Sequence, residues 1–327
     1  MAGIDMGPEQ LRQYKPALTR EPDFDQFWAD ALEESNREPL AAELTPLPYS
    51  VPGPRIYRLS LAGLGRVRLA GYYLVPPGTG PFPALVFYHG YGMDKGAIAD
   101  YLMWLCQGYV VAVLDVRGQG ESQDSGTSPV GGGNVAGYMA KGIESPASYY
   151  YRGVYVDTVR LVRFVQQRPE VDPVRIGVTG GSQGGGLALV AAALSGAAAV
   201  AVSEEPFLCH FQRAIDIALQ GPYLELQEYL RRHPERTEAT LRTLSYFDVM
   251  NLAERVQCPV RMCVGQMDDV CPPSTAAAAF NHLGGAGENV LDIYPFNRHD
   301  VWGYPASKEA NIVFLQRHLH PQGAWAR

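Results

Sequence analysis

Gly180-Gly181-Ser182-Gln183-Gly184 stands between a short apolar run, Val174-Arg175-Ile176-Gly177-Val178, and the helical stretch Leu187-Ala188-Leu189-Val190-Ala191-Ala192-Ala193. A serine set between glycines, with a strand before and a helix after, demands a sharp turn. Residues without a Cβ let strand and helix approach closely enough to make it. The pattern is a nucleophile elbow, which lifts the serine to the top of a sheet with a helix N-terminus behind it. Taken alone, G-x-S-x-G is a weak signal in a chain with 35 glycines, and the flanking strand and helix supply its specificity. Ser182 is therefore the candidate nucleophile, with Gly180 and Gly184 as the elbow glycines.

The rest of the chain repeats the same alternation. Residues 23–36 read as a helix capped by Asp23, with Phe24, Phe27, Trp28 and Leu32 on one face. A Pro-rich stretch at 46–54 is followed by strands at 56–61 and 67–75, joined by a turn at Gly63-Leu64-Gly65 as an antiparallel pair. Buried strands follow at 84–88 and 109–114, with a helix at 96–107 between them and another at 151–167 after a Gly-rich loop at 118–140. Beyond the elbow, the pattern gives a strand at 198–202 and then three short helical patterns within 205–255, without a strand. It resumes with strands at 260–264 and 290–294 and helices near 274–283 and 307–319. This predicts an α/β fold in a single domain spanning 1–327, with a mostly parallel central sheet covered by helices on both faces. The expected embellishments are antiparallel N-terminal strands and a helical cap inserted at 205–255.

With 327 residues and 46% apolar composition, the chain has material for a full core without staples. A net charge of −7, with no basic tract, argues against nucleic acid as a partner. No apolar run is long enough for a membrane span, and the N-terminus lacks the basic start and apolar core of a signal peptide. Five cysteines, Cys106, Cys209, Cys258, Cys263 and Cys271, show no C-x-x-C spacing and read as reduced packing thiols of a cytoplasmic protein. Gly131-Gly132-Gly133 lacks the preceding strand and the following Lys-Ser/Thr of a phosphate loop. No metal and no cofactor are expected.

A serine hydroxyl is a poor nucleophile unless a neutral histidine takes its proton and an acid orients that histidine. On a sheet of this kind the acid and then the histidine follow the serine in chain order, each in a loop after a strand. Of the seven histidines, His299 in Pro295-Phe296-Asn297-Arg298-His299-Asp300 meets that condition. His318 and His320 fall at the end of the last helix, and His210, His233 and His282 in or beside helices. His89 ends an early strand and reads as structural. The acid is Asp268 or Asp269, in Gly265-Gln266-Met267-Asp268-Asp269. The backbone N–H groups of Gln183 and of Tyr91, in His89-Gly90-Tyr91-Gly92, are placed to hold an oxyanion. Arg117 reads as a loop tie.

These stretches, together with Arg117-Gly118-Gln119, Tyr149-Tyr150-Tyr151-Arg152-Gly153-Val154-Tyr155, Leu244-Ser245-Tyr246-Phe247-Asp248 and Pro272-Pro273-Ser274-Thr275, closely resemble one family over nearly the whole chain. It is the acetyl xylan esterase / cephalosporin C deacetylase group, carbohydrate esterase family seven, within the α/β-hydrolase superfamily. The resemblance implies Ser182 as nucleophile, Asp268 as acid and His299 as base, with oxyanion donors at Tyr91 and Gln183. It settles the acid, because the family pattern places the aspartate three residues after the glycine, here Gly265. It further implies a homohexamer with inward-facing sites that favour small acetylated carbohydrates and related acetyl esters. The chain departs from the pattern at Asp300 (usually Glu), at Gly92 (usually Asn) and in the glycine-rich 118–133 loop, all places that bear on substrate preference. The rival readings are a broad short-chain carboxylesterase, a peptidase-like hydrolase and a catalytically silent binding protein, the last of which requires a broken triad.

Overall fold

In the computed structural model, described over residues 5–124, 137–285 and 287–320, nine strands form one mixed sheet. They are β1 (Glu43–Pro46), β2 (Arg55–Ala62), β3 (Arg68–Val75), β4 (Phe82–Tyr88), β5 (Val110–Leu114), β6 (Val171–Gly181), β7 (Val200–Glu204), β8 (Val260–Gly265) and β9 (Asn289–Tyr294). Their order across the sheet is β1-β2-β3-β5-β4-β6-β7-β8-β9. β1, β2 and β3 pair antiparallel and β3 joins β5 antiparallel, while every pair from β5 through β4 to β9 is parallel. The sheet is thus an α/β-hydrolase sheet with antiparallel strands at its N-terminal edge.

The helices are α1 (Pro8–Gln13), α2 (Phe24–Arg37), α3 (Leu102–Cys106), α4 (Tyr150–Gln166), α5 (Gln183–Ser195), α6 (Phe211–Ile217), α7 (Tyr223–Arg232), α8 (Thr237–Ser245), α9 (Val249–Leu252), α10 (Pro273–Asn281) and α11 (Pro305–Leu319). The period of two along each strand divides the core. Ala84 and Val86 of β4 and Val110, Ala112 and Leu114 of β5 face a large cluster with α2, α4, α5 and α10. Leu85, Val111 and Val113 face the other side, where α3 and α11 supply Trp104, Leu105, Phe314, Leu315 and Leu319. With both faces covered, the central strands are continuous apolar runs, which is why they stand out in the sequence.

Three expectations shift. Asp23 does not cap α2, and its carboxylate instead accepts the Tyr246 hydroxyl. The helix expected at 96–107 shrinks to a 3-10 turn, Ile98–Tyr101, and α3. The segment before it serves another purpose. Lys95 bonds Asp115 through both N–H (2.6 Å) and Nζ (2.9 Å), and Gly96 turns at φ +69°. β1 was not expected, because its four residues are mostly exposed and carry no alternation.

Between β7 and β8 the described residues form α6, α7, α8 and α9 without a strand. Asp248 knits this segment together, accepting from the N–H groups of His210, Phe211 and Met250. α2 packs on it from outside, with Trp28 Nε1 donating to Tyr246 O at 2.9 Å. Gly131-Gly132-Gly133 lies outside the described residues.

Candidate active site

Ser182 sits where β6 ends and α5 begins, at φ +55° and ψ −119°. A side chain rarely adopts that conformation, and it persists only where the surroundings over-determine it. Here the backbone is fixed on both sides. Ser182 N–H donates to Glu204 O at 2.8 Å, and Ser182 O accepts from Gly186 N–H at 3.1 Å and Phe207 N–H at 3.0 Å. The elbow glycines are required by close approach. A Cβ on Gly184 would lie 1.9 Å from Tyr88 O, and one on Gly180 would lie 2.4 Å from the same atom.

Asp268 and His299 come from the loops after β8 and β9. Asp268 is 1% exposed, and its Oδ1 accepts from Val270 N–H at 2.9 Å and Cys271 N–H at 2.8 Å. That leaves Oδ2 to face His299 Nδ1 at 2.7 Å. Burial works against a charged imidazole at His299, but the hydrogen bond and charge of Asp268 outweigh it, and the imidazole is held above its usual pKa. Asp269 turns away: its Oδ2 accepts from Gln220 Nε2 at 2.8 Å, and its carbonyl accepts from Leu219 and Gln220 N–H. The two adjacent acids thus have separate partners, one at the histidine and one on the link between α6 and α7.

The loop after β4 runs past Ser182, so that a Cβ on Gly90 would lie 4.0 Å from the serine Cβ. Tyr91 follows. Its hydroxyl donates to the Glu225 carboxylate of α7 at 2.7 and 2.9 Å and accepts from Tyr138 N–H at 2.9 Å. Glu225 also accepts from the N–H groups of Gly137 and Met139. Gly92 N–H donates to Gln119 Oε1 at 2.9 Å. Gln119 is fully buried, and its Nε2 donates to Tyr150 Oη at 3.1 Å and Gln183 Oε1 at 3.3 Å; Gln183 Oε1 also accepts from Tyr151 Oη at 3.0 Å. One amide network therefore fixes both Gln183 and the Tyr91 loop. As the first residue of α5, Gln183 also has a backbone N–H without an intrahelical acceptor. Gly92 has φ +68°, the left-handed region that both glycine and asparagine tolerate. Asp300 folds back on its own loop, accepting from Arg298 N–H at 3.0 Å. Met93 and Trp302, both about half exposed, stand against Gly90 and Gly181 at the rim.

The remaining candidates take structural places. His89 Nδ1 bonds Gly90 O at 2.8 Å and Nε2 accepts from Val116 N–H at 2.8 Å, a pattern that assigns the proton to Nδ1. Burial holds its pKa below the usual histidine value. Arg117 grips Asp157 with two bonds, of 2.7 and 2.8 Å, and donates to Leu64 O, the loop tie its position suggested. Cys271 is buried beside the Ser182 hydroxyl, and desolvation drives its thiol pKa well up, as suits a packing residue.

Sequence reasoning passed over Gln119 and Glu225 as positioning groups, and Glu205 altogether. Glu205, Asp268 and His299 bring two carboxylate oxygens and an imidazole nitrogen within 4.8 Å of one another. No spacing in the sequence signals this group, because its members come from the ends of three strands. Asp268 and His299 are already bonded to each other, so the third member reads as an addition to that pair rather than as one leg of a metal site. A post-strand acid beside the elbow's neighbouring strand was the available signal.

A serine in a strained strand-to-helix turn, with a histidine and an aspartate bonded to each other at the ends of later strands, on a mostly parallel sheet, is the arrangement of the α/β-hydrolase fold. The acetyl xylan esterase (AXE1) family model matches residues 1–318, and the chain belongs to that family. It is similar to the acetyl xylan esterase from Paenibacillus sp. R4, with 42% identity and a TM-score of 0.90 over 96% of this chain and 100% of that one. Acetyl xylan esterase 1 from Thermoanaerobacterium sp. shares 35% identity at a TM-score of 0.89, over 97% of this chain and 100% of that one. Acetyl esterase Axe7A of Xylanibacter ruminicola is 27% identical over 97% of this chain and 71% of its own length.

Proposed function

We propose that the protein is a serine acetyl esterase that removes acetyl groups from xylan-derived sugars and other small acetyl esters, cephalosporin C among them, through an acetyl-enzyme on Ser182. The observation that carries the reading is the 2.7 Å contact between His299 Nδ1 and an Asp268 carboxylate whose other oxygen is pinned by two N–H groups. With Nδ1–H donated to Asp268, Nε2 of His299 is left as the base. Ser182 Oγ attacks the acetyl carbonyl as His299 takes its proton, and Asp268 steadies the imidazolium. The N–H groups of Gln183 and Tyr91 hold the oxyanion, each worth about 3 kcal/mol in the transition state. The alcohol leaves with the proton from His299. Water, deprotonated by His299, then attacks the acetyl-enzyme, and acetate departs as Ser182 regains its proton.

Family resemblance supports a homohexamer with inward-facing sites, and free thiols at all five cysteines fit a reducing cytoplasm. Among the described residues, no helix is long and apolar enough to cross a membrane. The test is acetate release from acetylated xylo-oligosaccharides, polymeric acetyl xylan and cephalosporin C, alongside acetyl and butyryl p-nitrophenyl esters and light scattering of the native assembly. The expected pattern is oligosaccharides over polymer and acetyl over butyryl. Butyryl and acetyl esters turned over alike would favour the broad carboxylesterase, and cleavage of acyl-peptides alone the peptidase. A fluorophosphonate that fails to label Ser182 would favour the silent binding protein.

A further inference from the structure

Glu205 directly follows β7 and is 1% exposed, with φ +45° in a region side chains avoid. Its N–H donates to Cys263 O of β8 at 2.8 Å. Oε1 accepts from Asp300 N–H at 3.0 Å and Val301 N–H at 2.8 Å, the two peptide groups immediately after His299. Oε2 is buried and has no hydrogen-bond partner among the described residues. The carboxyl lies in the 4.8 Å cluster with Asp268 and His299. Held at a strained backbone position, with one oxygen on the His299 loop and the other idle, this carboxyl has an arrangement that packing alone does not explain.

We propose that Glu205 is a positioning residue for His299. It clamps the backbone after the histidine and sets a second, titratable carboxyl beside the His299–Asp268 pair. This rests on the triad reading above. The groups facing it are His299 and Asp268 from the loops after β9 and β8, Cys263 on β8 and Cys271 in the loop leading to α10. Glu204 is directed elsewhere, to Ser307 and Asn311 of α11 and to Arg261. Burial pushes the Glu205 carboxyl up to about 8, so at neutral pH it is mostly protonated and Asp268 alone bears on the imidazolium. Above that pH, Glu205 ionises and adds negative charge where the imidazolium forms in the transition state. Turnover should then rise a second time.

The experiment is kcat and KM for p-nitrophenyl acetate from about pH 6 to about pH 9, for wild type, Glu205→Gln and Glu205→Ala. Wild type is expected to show one rise as His299 deprotonates and a second near 8. Glu205→Gln keeps an oxygen for both N–H groups but cannot ionise, so it should keep the first rise and lose the second. Glu205→Ala releases the loop and should lower kcat by about tenfold with little change in KM. A Glu205→Gln profile identical to wild type would overturn the proposal even if Glu205→Ala did not fold, and so would wild-type kcat in Glu205→Ala. Ser182→Ala, assayed alongside, separates the two readings. If it is active, the triad and this proposal fail together; if it is inactive while the Glu205 variants behave as wild type, only the role of Glu205 fails.

Discussion

Two adjacent aspartates show how much a single residue's surroundings decide. Asp268 meets His299, whereas Asp269 ties down the link between α6 and α7. Asp268→Asn is expected to cut kcat by about 10⁴-fold, because the amide cannot fix the imidazole tautomer. Asp269→Asn should stay within about threefold. Steady-state kinetics of the pair check this, and the reverse ranking would displace Asp268. Buried acids leave a second signature. Burial raises Glu204 to about 7 and Glu205 to about 8, above the ordinary carboxyl value of 4.5. A carboxyl raised in the folded state contributes stability that is complete below its unfolded pKa and is lost as pH climbs through its folded one. Histidines held below their usual value, such as His89 and His210, act in the opposite direction but have given their full contribution by about pH 7. Tm should therefore fall between about pH 7 and about pH 8, where Glu205 is the carboxyl still losing its contribution, and less steeply in Glu205→Gln. Only the family resemblance separated Asp268 from Asp269, whereas Ser182 and His299 were legible because each follows a recognisable strand. Glu205 was not, since Glu204-Glu205 reads as one acidic pair until convergence of three strand ends gives the two side chains different neighbours.

Among the elements, α7 has an influence that its surface-like sequence does not advertise. Glu225 receives the Tyr91 hydroxyl and two N–H groups of the 137–139 segment, so one helix of the segment between β7 and β8 braces the loop proposed to hold the oxyanion. Glu225→Ala and Tyr91→Phe should each lower kcat by about tenfold. Because they break the same contact, the double variant should be little worse than either single one. Additive losses would show that the two side chains act separately. Central strands β4 and β5 were readable as continuous apolar runs, since both their faces are covered. β1, short and exposed, gave no such pattern. The helix expected at 96–107 was overestimated because Asp115, distant in sequence, claims Lys95.

Across the whole molecule, the N-terminal region is fastened to the main sheet through Arg160 of α4. This buried guanidinium donates to the carbonyls of Ser35, Glu38, Pro39 and Ala62, joining the end of α2 to the end of β2. Arg160→Met removes these bonds, leaving Ser35 O its bond from Glu38 N–H alone, and should cost about 3 kcal/mol in chemical denaturation while leaving kcat within about twofold. A large loss of kcat without loss of stability would mean that the N-terminal layer takes part in catalysis. The elbow, the His299–Asp268 pair and the Glu225 brace all belong to the carboxyl end of the parallel strands, where loops from several strands meet. The proposed mechanism therefore turns on Ser182. Its most direct test is steady-state hydrolysis of p-nitrophenyl acetate by Ser182→Ala, with the fold verified by circular dichroism and light scattering. Turnover is predicted to fall by about 10⁴-fold or more; a folded variant retaining activity within about tenfold of wild type would contradict the mechanism.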